Sequence, residues 1–539
     1  MIASALVALA GSAAPPDVTL SIIVFAPLVG AGIIACLPVA TDLQRFRVRV
    51  TALGAALVSF VFAGFDFFGV LANAGQGGLA QPAVRAGWVP GVPVPVGYHL
   101  GGDGLNFPLL FVATILLVVV VLASWRVRER TRLHFGLLLF SGVGLLGCLA
   151  AYDLGLLILF FLWPVAPVAL LVRLGGGPRA ARAARRLLTS WLLGSGLLVC
   201  AALLLSGRAG QRGLDLGTLS TQLTLPHGVS TGVFALVVAA CILRMGLVPG
   251  HLPVIDAVSS SGPPIAMLTV ATGLLTGGYT LARVALDAAP RGADHLATPL
   301  LGLAVLTMLW GAFGAYAVQE LRRLIGYVVV CVGGLVVLGM VGSSETSIAG
   351  ALYLLLAASL ALPLLLLVAG ALTERLRARR LSDLGGCGQP APRLSLLWVV
   401  GAGGVVGIPL LAGFPALLQV FVGTFPAHRY GVAAGCLAIL VLGAALWRAG
   451  SRVFLGPPGE NVPRLRDAEG SELYAGAVLT AFLLLFGLGS GRFLPYMVNG
   501  TDLVSGRLAA EAPAAIVPAV PALPVVGAAL VLAAGGGPR

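Results

Sequence analysis

The stretch that decides the fold of this chain is AACILRMGLVPGHLPVIDAVSSSGPPIAMLTVATGLLTGGYTLAR, residues 239–283. Arg244 lies inside an apolar segment, and Pro249 interrupts the same segment five residues later. Because a charge facing lipid is costly, a buried arginine beside an interrupted helix has to face protein or water. The stretch therefore predicts a functional site on an ion path. Four residues are candidates for that path: Arg244, His251, Thr276 and Tyr279.

The composition is that of an integral membrane protein. Of the 539 residues, 58% are hydrophobic and 10% are charged, with a mean hydropathy of +1.02. Charged residues make up about 25% of an ordinary soluble protein. The net charge of +13 comes from arginine alone, since the sequence contains no lysine. These arginines fall in short clusters between apolar segments, so they indicate membrane topology and argue against binding to nucleic acid.

Apolar segments long enough to span a bilayer recur along the chain and predict an all-α membrane protein of about fourteen helices. They lie at about 21–40, 48–72, 104–124, 133–151, 154–172, 186–205, 231–248, 263–286, 297–318, 324–342, 348–372, 394–424, 431–447 and 474–496. The apolar stretch 513–536 contains four prolines, so whether it adds another span is left open.

Arginine clusters predict the orientation of these helices. They follow predicted helices 1, 3, 5, 9, 11 and 13, which are all odd-numbered connections. The clusters include Arg45, Arg47, Arg49, Arg126, Arg128, Arg130, Arg132, Arg179, Arg182, Arg185, Arg186, Arg322, Arg323, Arg375, Arg377, Arg379, Arg380, Arg448 and Arg452. Since positively charged loops remain in the cytoplasm, the N-terminus is predicted to lie outside a bacterial inner membrane.

The sequence offers no residues for redox or metal chemistry. Its seven cysteines are scattered, without a CxxC pair or a histidine at metal-ligand spacing. The glycine-rich run GAGGVVG at 401–407 lies within an apolar span and does not follow a soluble strand, so it is not a nucleotide-binding motif. We therefore expect no catalytic residue, metal or cofactor in this chain, and any redox chemistry belongs to partner proteins.

A second interrupted segment, GAGGVVGIPLLAGFP at 401–415, lies in predicted helix 12, five helices after the interruption in helix 7. Interrupted helices at corresponding positions of two halves are typical of inverted-repeat transporters. Ordinary tolerance of glycine and proline in membrane helices is the alternative. The expected helix-break positions are Pro249, Pro253, Pro409 and Pro415. The expected units are helices 1–3 (1–130), a first five-helix repeat (131–290), a second five-helix repeat (291–450) and a C-terminal part (451–539).

Seven motifs in order resemble the M-type (chain 4) antiporter-like membrane subunits of bacterial respiratory complex I, the proton-translocating NADH-quinone oxidoreductase. They are YHLGGDGLNFPLL (98–110), GGPRAARAARRLLTSWLLGS (176–195), RMGLVPGHLPVIDA (244–257), GGYTLAR (277–283), QELRRLIGY (319–327), GIPLLAGF (407–414) and SRVFLGP (451–457). The resemblance implies a non-catalytic membrane-arm subunit beside other membrane subunits, with quinone and NADH met only through partners. The same family includes subunits of multisubunit cation/proton antiporters and membrane-bound hydrogenases, and such a subunit is the alternative assignment.

The chain departs from this family where the family keeps titratable residues inside the membrane. A gapless count places the helix 7 lysine at Arg244, and places apolar residues at the other positions. Those residues are Leu162, Leu275, Val332, Ala358 and Leu417. Leucine, valine and alanine bind no proton, and arginine remains charged. The resemblance implies proton translocation coupled to electron transfer, whereas the residue chemistry predicts impaired or absent pumping, or a purely structural subunit. Arg244 would be satisfied by freed carbonyls, Thr276, Tyr279 or water.

Overall fold

A computed structural model describes residues 16–73, 83–89, 96–209, 214–217, 225–287, 289–457, 462 and 465–511 of the chain. Its helices are α1 Pro16–Cys36, α2 Asp42–Asn73, α3 Phe107–Ala123, α4 Thr131–Ala150, α5 Leu154–Leu162, α6 Val165–Leu174, α7 Gly177–Ala209, α8 His227–Met245, α9 Leu252–Ser260, α10 Pro263–Thr280, α11 Pro290–Ala317, α12 Leu321–Val341, α13 Glu345–Leu376, α14 Pro392–Val406, α15 Gly413–Gly450, α16 Ser471–Leu488 and α17 Ser490–Glu511. Two strands, β1 Ala83–Val89 and β2 Val96–Gly101, pair as an antiparallel hairpin.

The all-α membrane class is confirmed, whereas the count of fourteen spans stays a prediction. Within the described residues, twelve helices are long and apolar enough to cross a membrane, and two shorter apolar helices, α3 and α14, accompany them. One of the twelve, Gly413–Leu455, has 43 residues and loses helical geometry at His428, so predicted helices 12 and 13 run on without a loop. The candidate segment 513–536 lies outside the described residues.

Helices α10 and α13 form the centre of the bundle. Every residue in the most apolar window of each is buried, compared with 22% in the corresponding window of α2. A helix that is apolar on all sides is stable only inside protein or lipid, and these two are surrounded by protein. Glycines let them pack closely. A Cβ atom on Gly278 of α10 would collide with Leu355 of α13, and one on Gly370 of α13 would collide with Pro263 of α10.

Helix breaks occur at both predicted places, which confirms that helices 7 and 12 are interrupted. Helix α8 ends at Gly246 (φ 75°) and helix α14 ends at Gly407 (φ 85°), a left-handed geometry that glycine adopts easily. Pro249 and Pro409 lie within the breaks, while Pro253 and Pro415 lie in the first turns of α9 and α15. A third break was not predicted: predicted helix 5 divides into α5 and α6 at Trp163 and Pro164.

Arginine-rich connections meet on one face of the molecule, which we call the basic face. Glu472 links Arg126, at 3.1 Å, with Arg375, so the connection after α3 contacts the end of α13 and the start of α16. On the same face Arg186 pairs with Asp256 at 2.5 Å, and Arg322 donates to the Ser261 carbonyl. Connections that the sequence separates widely are thereby held together at one end of the bundle.

Candidate functional site

Arg244 lies in the last turn of α8 and is completely buried. The carbonyl ends of a helix carry partial negative charge, so a cation is favoured in that turn. Two residues later Gly246 closes the helix by donating its amide to the Ile242 carbonyl at 3.1 Å. The break predicted from the sequence thus places the charge where the backbone gives partial compensation.

Two aromatic rings enclose the Arg244 guanidinium. Its central carbon lies 4.5 Å from the centre of the Phe161 ring and 4.1 Å from that of Trp191. Both distances are within the range of cation–π attraction, which is strongest where water is excluded. We refer to Arg244 with Phe161 and Trp191 as the aromatic cage. It joins residues from three helices, α5, α7 and α8.

Thr276 supplies the hydrogen bond that fixes the side chain of Arg244. The Nε of Arg244 donates to the Thr276 hydroxyl at 3.0 Å, and that hydroxyl donates to the Thr272 carbonyl at 2.6 Å. The Thr276 hydroxyl is therefore used as both acceptor and donor. It ties the end of α8 to the middle of the buried helix α10.

The outer nitrogens of Arg244 have no such partner. Nη1 and Nη2 are buried, and neither forms a hydrogen bond to a protein atom. Among the described residues, no carboxylate forms an ion pair with this guanidinium, whose electrostatic neighbours are the thiols of Cys148 and Cys241. Protein atoms in the described part of the chain thus orient the charge without neutralising it.

Two expectations about the surroundings of Arg244 need correction. Leu162, where the gapless count placed a buried position, is 41% exposed and points out of the bundle, and the preceding residue Phe161 faces Arg244. Helix α5 ends at Leu162 and α6 begins at Val165, with Trp163 and Pro164 between them in right-handed helical conformations. Tyr279 is buried, but its hydroxyl does not bond to Arg244, and its electrostatic neighbours include Arg283 and Asp103.

His251 lies just beyond the break and is held by the neighbouring helix. Trp310 of α11 donates its indole N–H to His251 Nε2 at 3.1 Å. This hydrogen bond links the start of α9 to α11, and in the described structure no hydrogen bond joins His251 to Arg244. Asp256, in the same helix α9, forms an ion pair with Arg186 on the basic face.

The second half of the chain is apolar where the family resemblance implied titratable residues. Val332, Ala358 and Leu417 are all buried, as is Leu275 in the first half. Leu417 packs so closely on the second break that a Cβ atom on Gly407 would lie 2.9 Å from its Cδ1. These positions lie inside the protein and carry no group that binds a proton.

Sequence reasoning missed an ionic cluster at the far end of α10. Arg283 is nearly buried and forms two ion pairs, with Asp103 at 2.8 Å and with Asp287 at 4.0 Å. The guanidinium of Arg283 also lies 4.4 Å from the centre of the Tyr152 ring. Asp103 also accepts hydrogen bonds from the amides of Leu105 (2.9 Å) and Asn106 (3.1 Å), so it both caps the start of α3 and forms an ion pair.

The signal for this cluster was present in two motifs. Asp103 is the acid of the HLGGDG motif and Arg283 is the arginine of GGYTLAR, 180 residues apart in the sequence. A second pair lies nearby in the connections, where His99 Nδ1 and Asp215 Oδ2 are 2.6 Å apart. Burial raises the pKa of Tyr152 well above its usual value, with Asp103 adding to the effect. The Tyr152 ring lies 5.5 Å from the His99 ring and 4.4 Å from the Arg283 guanidinium, so the two pairs are neighbours.

The fold and these sites define a multi-pass membrane protein with antiporter-like broken helices. Residues 151–442 match the family described as "NADH:quinone oxidoreductase/Mrp antiporter, TM". The match spans more than half of the chain, so the chain belongs to that family. It is an antiporter-like membrane subunit by descent.

Individual relatives point to the same group. NAD(P)H-quinone oxidoreductase chain 4 3 of Picosynechococcus sp. is 29% identical over 418 residues, covering 77% of this chain and 74% of the relative. F(420)H(2) dehydrogenase subunit M of Methanosarcina mazei is 28% identical over 466 residues, covering 82% and 92%. A chain of respiratory complex I from Thermus thermophilus has a TM-score of 0.81 at 26% identity, covering 91% of this chain and 99% of that one.

A chain of the Mrp complex from Dietzia sp. has a TM-score of 0.75 at 18% identity, covering 92% of this chain and 98% of that one. This last likeness concerns the fold alone. The relatives that match more closely in sequence are named as a chain of an NAD(P)H-quinone oxidoreductase and a subunit of an F(420)H(2) dehydrogenase.

Within the described residues, no group of three or more His, Cys, Asp and Glu side chains is arranged to hold a metal ion.

Proposed function

We propose that this chain is a membrane-arm subunit of a complex I-like NADH-quinone oxidoreductase in a bacterial inner membrane. It assembles with other membrane subunits, and NADH and quinone act only on its partners. The family match and the likeness to chain 4 subunits over three quarters of the chain support this assignment. The similar glycine caps at Gly246 and Gly407 support two inverted repeats, 131–290 and 291–450.

The proposed mechanism is that this subunit does not relay protons through the membrane. The observation that carries it is the fixed charge of Arg244, which has no carboxylate partner in the described chain, combined with apolar residues at Val332, Ala358 and Leu417. A proton relay needs groups whose pKa is near the ambient pH, and neither arginine nor leucine is such a group. An active pump with field coupling through water is the competing function.

Replacing Arg244 tests this mechanism. In the assembled complex in vesicles, Arg244→Leu should leave the number of protons taken up per electron unchanged. The amount of assembled complex should be equal to or higher than that of the wild type, because the substitution removes a buried charge. The matched control is Arg429→Leu, which removes an arginine that contacts Tyr430 at the surface. Loss of proton uptake in the Arg244 variant at normal assembly and electron transfer would overturn the proposal.

The orientation is a separate proposal, with the N-terminus outside and the basic face in the cytoplasm. Single cysteines introduced near Arg128 and Arg377 should react with a membrane-impermeant maleimide only after the cytoplasmic side is exposed. A cysteine near Arg208, in the connection that follows the sixth predicted helix (186–205), should react from outside. Labelling of the positions near Arg128 and Arg377 in intact cells would contradict this orientation and indicate the opposite one.

A further inference from the structure

The aromatic cage holds a buried positive charge that the described protein does not neutralise. We propose that Arg244 is the centre of an interior binding site for a small monovalent anion of the chloride type. The proposal rests on four features: the two aromatic rings against the guanidinium, its two unpaired nitrogens, the unpaired donors of Thr272 and Trp191, and the lack of a carboxylate partner among the described residues.

The geometry leaves one direction of approach to the guanidinium. The guanidinium carbon lies over the Phe161 ring at 4.5 Å and over the Trp191 ring at 4.1 Å, and the Nε edge donates to Thr276 at 3.0 Å. What remains is the edge that carries Nη1 and Nη2, both without a protein acceptor. Two parallel N–H groups on one edge form a fork that a single anion accepts in plane.

The other unpaired polar atoms next to the cage include further donors. The Thr272 hydroxyl, one helical turn before Thr276, and the Trp191 indole N–H are both buried without a hydrogen-bond partner. An indole N–H donates only, and a guanidinium has no acceptor. A site rich in donors and poor in acceptors binds an anion in preference to a cation or a neutral carbonyl compound.

Charge and size narrow the class of ligand. A cation withdrawn from water is costly unless a partner of opposite charge accompanies it, and one negative charge balances one guanidinium. Helix α10 packs closely against the end of α8 because it presents glycines there. A Cβ atom on Gly273 would lie 2.9 Å from the Arg244 carbonyl oxygen, and one on Gly277 would lie 2.5 Å from Met245 Cγ. This close packing favours a monatomic halide over a bulky polyatomic anion.

The inference rests on the fixed charge assumed in the proposed function, but not on assembly with redox partners. Halide binding is measured on the full chain without electron transfer. If the chain does not bind halide, the proposal about proton stoichiometry is unaffected. If the Arg244 variant loses proton uptake, the proposal about halide binding is unaffected.

Iodide quenching of tryptophan fluorescence tests the site, because the Trp191 ring lies against Arg244. The purified full chain is titrated with sodium iodide at constant ionic strength, and Trp191→Phe defines the contribution of that indole. We expect a saturable quenching component that is absent in Trp191→Phe. It should also be absent in Arg244→Leu and retained in the matched control Arg429→Leu. Purely linear quenching, or a saturable component equal in Arg244→Leu, means that water alone satisfies the arginine and overturns the proposal.

Two milder variants keep the test decisive if Arg244→Leu does not fold. Thr272→Val removes one unpaired hydroxyl and should raise the half-saturating iodide concentration by about five-fold. Arg244→Lys keeps the charge and should retain saturable quenching at a higher iodide concentration. In addition, chloride should raise the thermal midpoint of the wild-type chain relative to the larger anion gluconate. Unchanged half-saturation in both variants, or equal midpoints in the two salts, contradicts the anion site.

Discussion

The two broken helices have nearly the same backbone and opposite chemistry. At the first break the amides of Gly246 and Leu247 both return to the Ile242 carbonyl, and at the second the amides of Gly407 and Ile408 both return to Gly403. Superposing the two glycines places Arg244 opposite Val405, which is buried. The break is thus a property of the glycine and proline pattern, and the charge is a separate property that one half carries and the other does not.

The surroundings of the two breaks differ in the same way. Side chains hold the first break, through the aromatic cage and the hydrogen bond between Trp310 and His251. Backbone holds the second, where the Ala412 amide donates to the Leu483 carbonyl of α16 at 3.0 Å. A break that is satisfied by backbone needs no polar side chain, which is consistent with the apolar Leu417 packing against Gly407.

The largest expected effect comes from removing a wall of the aromatic cage. Trp191→Ala should destabilise the chain by about 4 kcal/mol through lost packing, with about 2 kcal/mol more from the lost cation–π contact. Trp398→Ala is the matched control, since Trp398 is a buried tryptophan of the second half whose ring packs against Phe454 and, within the described residues, meets no guanidinium. The measurement is unfolding of the full chain by sodium dodecyl sulfate. Equal losses in the two variants would mean that the cage only fills space.

Transferring the charge to the other break is expected to have the next largest effect. Val405→Arg should cost about 3 kcal/mol, because this position offers no aromatic sandwich to an arginine placed within the membrane. Val405→Met provides an uncharged side chain of comparable length. The yield of folded chain and the unfolding midpoint report the difference. An arginine tolerated at 405 as well as methionine would show that the second half accepts charge without a prepared site.

The smallest effect tests the similarity of the two backbones. Gly246→Ala and Gly407→Ala should each cost about 2 kcal/mol, since both glycines have left-handed φ values. An added Cβ would also meet Val254 at 2.6 Å in the first half and Leu417 at 2.9 Å in the second. Gly302→Ala, in a helix with open space around the glycine, is the control and should be neutral or stabilising. Unequal losses at the two caps, measured by the same unfolding assay, would count against a shared break geometry.

Hydropathy and the glycine and proline pattern were sufficient to predict most of the fold. Long apolar segments predicted the spans, and Pro249 and Pro409 predicted the two breaks. The break at Pro164 was missed although Trp163, Pro164 and Pro167 interrupt an apolar run. A proline in a membrane helix produces either a kink or a break, and neighbouring helices decide which.

The site was predicted only in part, for a physical reason. Arg244 and Thr276 lie within one stretch, and their hydrogen bond is confirmed. Phe161 and Trp191 are ordinary apolar residues of distant helices, and periodicity does not reveal which aromatic side chain turns inward. The Arg283 and Asp103 pair was missed because charges near the ends of spans resemble loop residues, and only tertiary packing brings α3 and α10 together.

The complete burial of α10 and α13 bears on how this protein responds to its membrane. Every residue in the apolar windows of these two helices is buried, whereas only 22% of the window of α2 is buried. A change in bilayer thickness acts on helices that contact lipid, by tilting them or by bending the lipid around them. The outer helices therefore absorb hydrophobic mismatch, and the distance between Thr276 in α10 and Arg283 just beyond its end is insulated from the length of the surrounding lipids.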